Sequence, residues 1–448
     1  MTSKLRTWQK VATEVNQQHC GNIVMSIEKK LKRLSPVTAN SNIYQVTKAL
    51  REMNPKAYAP QLISIGPLHH GTRKDLIANE QYKLHGFMNF LRRMNNNMIE
   101  SMDHVGFPQT RTLNVLVEKA HCWVKEARNC YATPIKMKEE EFVTMMLVDA
   151  CFIVEFFILK FDDCHPNCKF VQIQENVDIS FYEGIEMDIP DDLIKLENQV
   201  PFFLLRSLFD LIPKHNVPLI SSFKDDKNYL PHCTLKFGLV RESHEIDLNE
   251  EPEHLPTKNK SEKVGSIPPS ITELYEAGVT IKKAKNTKYM RDITFKNGVL
   301  EIPPLHIYDD FELMLRNMVA FEQFNAANRN KYVTQYVLFL DHLISTEKDV
   351  HLLMKAGIII NNIGGCGKEV SDLFNNLGKF VTESSSSHFD PISEALRKHC
   401  NRRWNKTRAS LKHDYFNTPW AWVSFSAAAL VIFLNILQTF FAFVSACC

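Results

Sequence analysis

An excess of charge of either sign is nearly absent from this chain: 53 Lys and Arg stand against 51 Asp and Glu, a formal net charge of +2 over 448 residues. A nucleic-acid-binding surface needs a basic excess that this balance does not supply, so no nucleic acid is expected among the partners. Disulfide spacing is absent as well. The eleven cysteines are scattered singly (Cys20, Cys122, Cys130, Cys151, Cys233, Cys366, Cys400), apart from Cys164/Cys168 and the terminal pair, which fits reduced thiols in a cytosolic compartment. From Met1 to Gln18 the chain carries Lys4, Arg6, Lys10 and Glu14 and no apolar h-region, so neither a secretory signal peptide nor a lipid-linked anchor is expected. There is no internal repeat, no G-x-S-x-G elbow and no H-E-x-x-H helix.

What is present stands out at the C-terminal end. Roughly twenty-five residues from Trp420 to Val444 carry no charged side chain, and at 1.5 Å per residue such a run crosses a hydrocarbon core of about 30 Å. Its strongly apolar members, among them Val423, Phe425, Leu430, Ile432, Phe433 and Ile436, together favour insertion by on the order of 6 kcal/mol. Ser424, Ser426, Asn435, Gln438 and Thr439 subtract from this or mark a helix-packing face. The plainer alternative is a buried core helix. Arg402, Arg403, Lys406, Arg408 and Lys412 precede the run and no basic residue follows it, so the positive-inside rule keeps the body cytosolic. The expectation is a single-pass membrane protein with the lipid bilayer as one partner, at the plasma membrane rather than an endomembrane.

The rest divides by pattern into an N-terminal segment with an amphipathic helix (1–40), a helical module (41–240), a disordered loop (241–270), a helical module with a β-hairpin (271–415) and the transmembrane helix (420–444). The loop, RESHEIDLNEEPEHLPTKNKSEKVGSIPPS from Arg241 to Ser270, has almost no apolar periodicity and ends in two prolines. Glu141 to Phe161 is apolar nearly all round yet interrupted by Asp149, Glu155 and Lys160, which predicts a central buried helix and not a second span. Around Asn297-Gly298 the period changes to that of a type I′ hairpin. Thr346 and Asp349 suggest a capping box, Gly357 a helix stop, and Asp390 a cap followed by Pro391. The fold class is therefore mainly α: a helical body with a small antiparallel β element and one C-terminal transmembrane helix.

Six stretches in order, SNIYQVTKALREMNPKAYAPQLISIGPLHHG (from Ser41), LVDACFIVEFF (from Leu147), DLIKLENQVPFFLL (from Asp192), FKNGVLEIPPLHI (from Phe295), NMVAFEQ (from Asn317) and CNRRWNKTRASLKHDYFNTPWAWVS (from Cys400), resemble the plant family catalogued as domain of unknown function 247. The resemblance covers nearly the whole chain from about Ile23 and departs at Ala150, where the family usually shows Gly. It implies a C-terminal membrane span and no established activity, cofactor or catalytic residues. Some grass members resemble male determinants of self-incompatibility, which implies a recognition role for the class.

Several constellations remain to be weighed as chemistry. Gly364 to Lys368 superficially resembles a phosphate loop, but Asn362 stands where its first Gly belongs and Glu369 where Ser or Thr belongs. Cys164, His165 and Cys168 lack the second pair that zinc requires. The Asp pairs 191/192, 225/226 and 309/310 read as solvated turn residues, and Lys29, Lys30, Lys32 and Arg33 as one face of a helix that docks on the surface or touches anionic lipid. Acids and amides inside apolar text, namely Asp149, Glu155, Glu197, Asn198, Gln199, Asn317, Glu322 and Gln323, must find partners. Structural hydrogen bonds are the plain reading, with Asn198 or Gln199 near the helix start at Pro201; a polar pocket is the functional one.

No catalytic, cofactor-binding or metal-binding residue is assigned and no cofactor is expected. The expected function is a membrane-anchored recognition or signalling module with a protein partner. The alternatives are an enzyme built around His69, His70, Glu155 and Glu197, for which those four must share one pocket, and a structural membrane scaffold.

Overall fold

A computed structural model describes residues 22–31, 43–94, 110–164, 188–212, 267–285, 287, 289–324, 331–381, 387–402 and 419–447. The Arg241–Ser270 loop as far as 266, the segment from His165 to Cys168, the Asp225/Asp226 pair and the basic flank beyond Arg402 lie outside the described residues. The molecule is mainly helical with little sheet.

Helix α1 (22–31) has every residue exposed, so it is not docked on the described body, contrary to the commoner expectation for a surface helix. The chain then forms α2 (Lys48–Met53), a 3-10 turn (Pro55–Ala57), α3 (Lys74–Ala78), α4 (Glu80–Met94), α5 (Thr110–Asn129) and α6 (Glu139–Cys164). Helix α6 is the centre of the first half. Beyond its exposed acidic first turn it is apolar nearly all round, so no orientation satisfies it except burial on every side, and α4, α5 and α8 (Phe202–Phe209) pack against it. Phe152, Ile153, Val154 and Ile158 have no exposed surface. The apolar run that length and composition alone permit to cross a bilayer is thus a core helix, as its internal charges predicted. The short α7 (Ile189–Ile194) precedes α8.

The second half contains α9 (Ile271–Glu276), β1 (Thr280–Lys283), β2 (Thr294–Lys296), β3 (Val299–Ile302), β4 (Leu305–Ile307), α10 (Phe311–Phe324), α11 (Tyr332–Leu343), α12 (Glu347–Lys355), β5 (Ile359–Asn361), α13 (Gly367–Leu377) and α14 (Asp390–Cys400). The hairpin is where the Asn-Gly pair placed it: Asn297 and Gly298 have φ of 51° and 76°, and β2 and β3 pair antiparallel. The β element is otherwise not antiparallel. Strand β1 pairs parallel with the other edge of β3, and β4 pairs parallel with β5 in a separate two-stranded sheet. Three-residue strands carry too little alternation to betray their partners, least of all across the three helices, α10, α11 and α12, that separate β4 from β5.

Asp349 accepts the Thr346 N–H at 2.9 Å and its hydroxyl at 2.7 Å, as the capping pattern predicted, and also the Thr272 N–H at 2.7 Å from α9. Gly357 ends α12 with φ of 69°. Asp390 is corrected by one position: it lies in the first turn of α14, after Phe389, and reaches back to the Ser387 N–H at 2.8 Å.

Each half has its own buried apolar cluster, and the segment from Val46 to Tyr58 packs between them with Leu196, Ala320 and Phe321. Five described cysteines, Cys122, Cys130, Cys151, Cys366 and Cys400, are free thiols. The last element, α15 (Pro419–Cys447), is 29 residues long, and Val423 to Ile436 lie exposed along it.

Candidate functional site

The stretch from Gln61 to Gly66 runs through the body in no regular ladder, so its backbone polar groups need side-chain partners. Asp192 on α7 takes three of them, accepting the N–H groups of Gln61, Leu62 and Ile63 at 2.7 to 2.8 Å. Asn198 accepts the Ile65 N–H at 2.7 Å and donates to the Ile63 carbonyl at 3.0 Å. Asp149 accepts the Gly66 N–H at 2.7 Å. Lys83, buried on α4, donates to the Ser64 carbonyl at 2.8 Å and to Asp149 at 2.6 Å. Burial alone would lower the Lys83 ammonium, but the carboxylates of Asp149 and Glu80 outweigh it and raise it. Gly66 completes the seam: at φ of 72° a Cβ there would meet the Gln199 carbonyl at 2.1 Å, so the close approach requires glycine.

Beside this seam, Glu197 accepts the Val46 N–H at 2.6 Å and Arg51 Nη2 at 2.5 Å, and His69 Nε2 stands 3.3 Å from its other oxygen. Burial would raise this carboxyl, yet His69, the Val46 N–H and Arg51 together hold it below the ordinary carboxylate range. Asn317 joins the halves, accepting the Leu196 N–H at 2.9 Å and donating to the Ala57 carbonyl at 2.7 Å. Glu322 caps α11 through the N–H groups of Val333 and Thr334, with burial pushing its carboxyl up. Asn198 and Gln199 do not cap α8; Gln199 donates to the carbonyls of Leu193 and Lys195. The plain reading of the embedded polar residues therefore holds for seven of the eight, and Gln323 also has a partner.

The four residues of the enzyme alternative do not converge. His69 and Glu197 meet, but Glu155 is engaged by Arg93 on α4 at 2.6 and 3.0 Å, and His70 has a buried Nδ1 with no hydrogen-bond partner. Lys83 and Arg93, the cations that match Asp149 and Glu155, were not singled out in the sequence. Their signal was a basic residue on the apolar face of α4, at positions three and thirteen after Glu80.

Asp309 and Asp310 lie in a turn with Asp309 exposed, as expected, whereas Asp191 and Asp192 are not a solvated turn but sit on α7. Asp188, Asp191, Asp192, Asp309 and Glu312 line a cleft of about 430 Å³ together with Lys56, Lys195 and Gln61. Asp192 is buried, and burial, followed by the nearby charge of Asp310, pushes Asp191 up to about 6 against the pull of Lys195. Glu312 also lines a neighbouring cleft of about 310 Å³ with Asn361, Glu369 and Asp372. These concave, acid-lined surfaces favour cationic groups. Among the described residues no group of three His, Cys, Asp or Glu side chains is arranged to hold a metal ion. Gly364 to Cys366 lie in the loop between β5 and α13, Gly367 and Lys368 begin α13, and the side chain of Asn361 donates to the Gly365 carbonyl at 2.9 Å.

The profile of a family described as a plant protein of unknown function matches residues 43–434. The chain is 27% identical over 435 residues to the UPF0481 protein At3g47200 of Arabidopsis thaliana, covering 90% of this chain and 86% of that protein. It is 22% identical over 523 residues to the putative UPF0481 protein At3g02645 of the same plant, covering 94% and 93%. No solved structure matches it.

Proposed function

We propose a function from one premise: the chain belongs to the plant protein family catalogued as domain of unknown function 247. On this reading it is a single-pass membrane protein whose helical body faces the cytosol and acts by binding a protein partner, as a recognition or signalling module. One observation carries it. Helix α15 is 29 residues long and its large apolar side chains from Val423 to Ile436 are bare, with Phe433 61% and Ile436 62% exposed. At 1.5 Å per residue its length of about 44 Å exceeds the hydrocarbon thickness of about 30 Å. Helix α6 is also long and apolar but is enclosed by its own chain, whereas the stretch of α15 from Val423 to Ile436 lacks such a cover among the described residues and lipid supplies one. Binding is favoured because the embedded acids and amides stitch loops to helices, which leaves clefts and loops as the contact surface.

Glycosylation mapping tests the topology. Asn259-Lys260-Ser261 and Asn405-Lys406-Thr407 are acceptor triplets, and both are expected to stay unmodified in a microsomal system while an acceptor appended after Cys448 gains a glycan. A glycan on Asn259 overturns the cytosolic body. For binding, affinity purification from plant membranes in mild detergent is expected to recover a partner in stoichiometric amount; recovery of the chain by itself removes that half of the reading.

A further inference from the structure

We propose that helix α1 is a second membrane contact, lying in the plane of an anionic lipid surface. The inference rests on the membrane reading above only in placing the chain beside a bilayer. At 100° per residue, Ile23, Val24, Ile27 and Leu31 fall within an arc of about 100°, while Met25, Glu28, Lys29 and Lys30 lie outside it. All four apolar side chains are bare, Ile23 at 48%, Val24 at 53%, Ile27 at 50% and Leu31 at 57%. A ten-residue helix is marginal in water, so a surface must hold this one. The described body does not provide it, since every residue of α1 is exposed.

Charge selects the occupant. The polar side of α1 presents Lys29 and Lys30 against Glu28, and the sequence continues with Lys32 and Arg33. An apolar stripe flanked by lysines is the arrangement by which helices lie at a membrane interface, the stripe entering the acyl boundary and the cations meeting anionic headgroups. The bare lysines next to an apolar stripe fit a lipid surface better than a protein groove, which would have to desolvate them. The contact is reversible, unlike that of α15, because only one to two turns of apolar side chains enter the interface.

Hydrogen exchange on the full chain tests this, with vesicles of phosphatidylcholine alone or with one lipid in three replaced by phosphatidylserine. Exchange of residues 22–31 is expected to slow by about tenfold or more with the anionic vesicles. It is expected to stay fast with the neutral ones, and to recover at high salt. The pair Ile27→Asp and Leu31→Asp is expected to abolish the slowing. Residues 423–439 are read in the same experiment, and their protection in both vesicle types reports the α15 anchor independently. Unchanged exchange at 22–31 with anionic vesicles overturns the inference and leaves the anchor standing. Slowing that is already present without lipid also overturns it, by showing that α1 packs on the body or on a second copy.

Discussion

Glu197 is tied to groups 146 and 151 residues away in sequence, Arg51 and the Val46 N–H. Removing it strands a buried donor and a guanidinium, so Glu197→Ala is expected to destabilise the protein by about 2 to 3 kcal/mol, read as a lower melting temperature. An unchanged melting temperature together with lost partner binding would instead make Glu197 a contact residue. Asp191 should behave in the opposite sense. Its carboxyl is raised to about 6 by burial, above an unfolded value of about 3.9, so its ionisation opposes folding. Asp191→Asn is expected to match the wild type below about pH 4 and to gain stability as the pH rises to about 6, staying on the order of 1 kcal/mol ahead above that after solvent screening. Melting curves across that range check the sign, and a constant difference would exclude the titration. The need of these residues for partners was legible in the sequence, because a carboxylate among leucines has no other way to be buried. The partners were not, since most are backbone N–H groups that look alike at every position.

Helices α4 and α6 are joined by two buried ion pairs, Lys83 with Asp149 and Arg93 with Glu155, each 2.6 Å. Burial makes such pairs costly to break and cheap to replace. Arg93→Met is expected to cost about 3 to 5 kcal/mol, and adding Glu155→Leu to restore most of it. A denaturant series on the two variants and the double variant measures this, and additive losses would show that the pair is not coupled. The character of α6 could be read directly, for its apolar run is long and its charges are few. The hairpin was equally plain because Asn297 and Gly298 satisfy a backbone demand that few dipeptides meet. Strands β1, β4 and β5 escaped notice as partners: pairing between Leu305–Ile307 and Ile359–Asn361 is decided by how helices α10 to α12 fold back, and three residues record nothing of that. The absence of a dock for α1 escaped notice for the same reason, since amphipathicity states what a helix can bury and not whether the body offers a place.

Across the whole molecule, α15 contributes no buried surface to the body along its exposed stretch from Val423 to Ile436. Ending the chain before Pro419 is therefore expected to leave the melting temperature unchanged and to lower the helical circular dichroism by no more than the 29 residues of α15 supply, while removing the stable anchor of the proposed membrane reading. A drop in melting temperature would place the helix against the body. The clefts were not legible in the sequence, because Asp188 to Lys195, Asn54 to Leu62 and Asp309 to Leu313 are brought together only when the two halves close. That closure runs through Asn317, which holds the Ala57 carbonyl 260 residues upstream. At a synthesis rate of 5 to 20 residues per second the ribosome delivers Asn317 roughly 13 to 52 s after Ala57. Throughout that interval the nascent chain carries the Ala57 carbonyl without its final partner and the apolar face from Val46 to Tyr58 without its full cover, and the Leu196 N–H waits for the last 121 residues of it. The first half leaves the tunnel with that seam open, and the second half closes it.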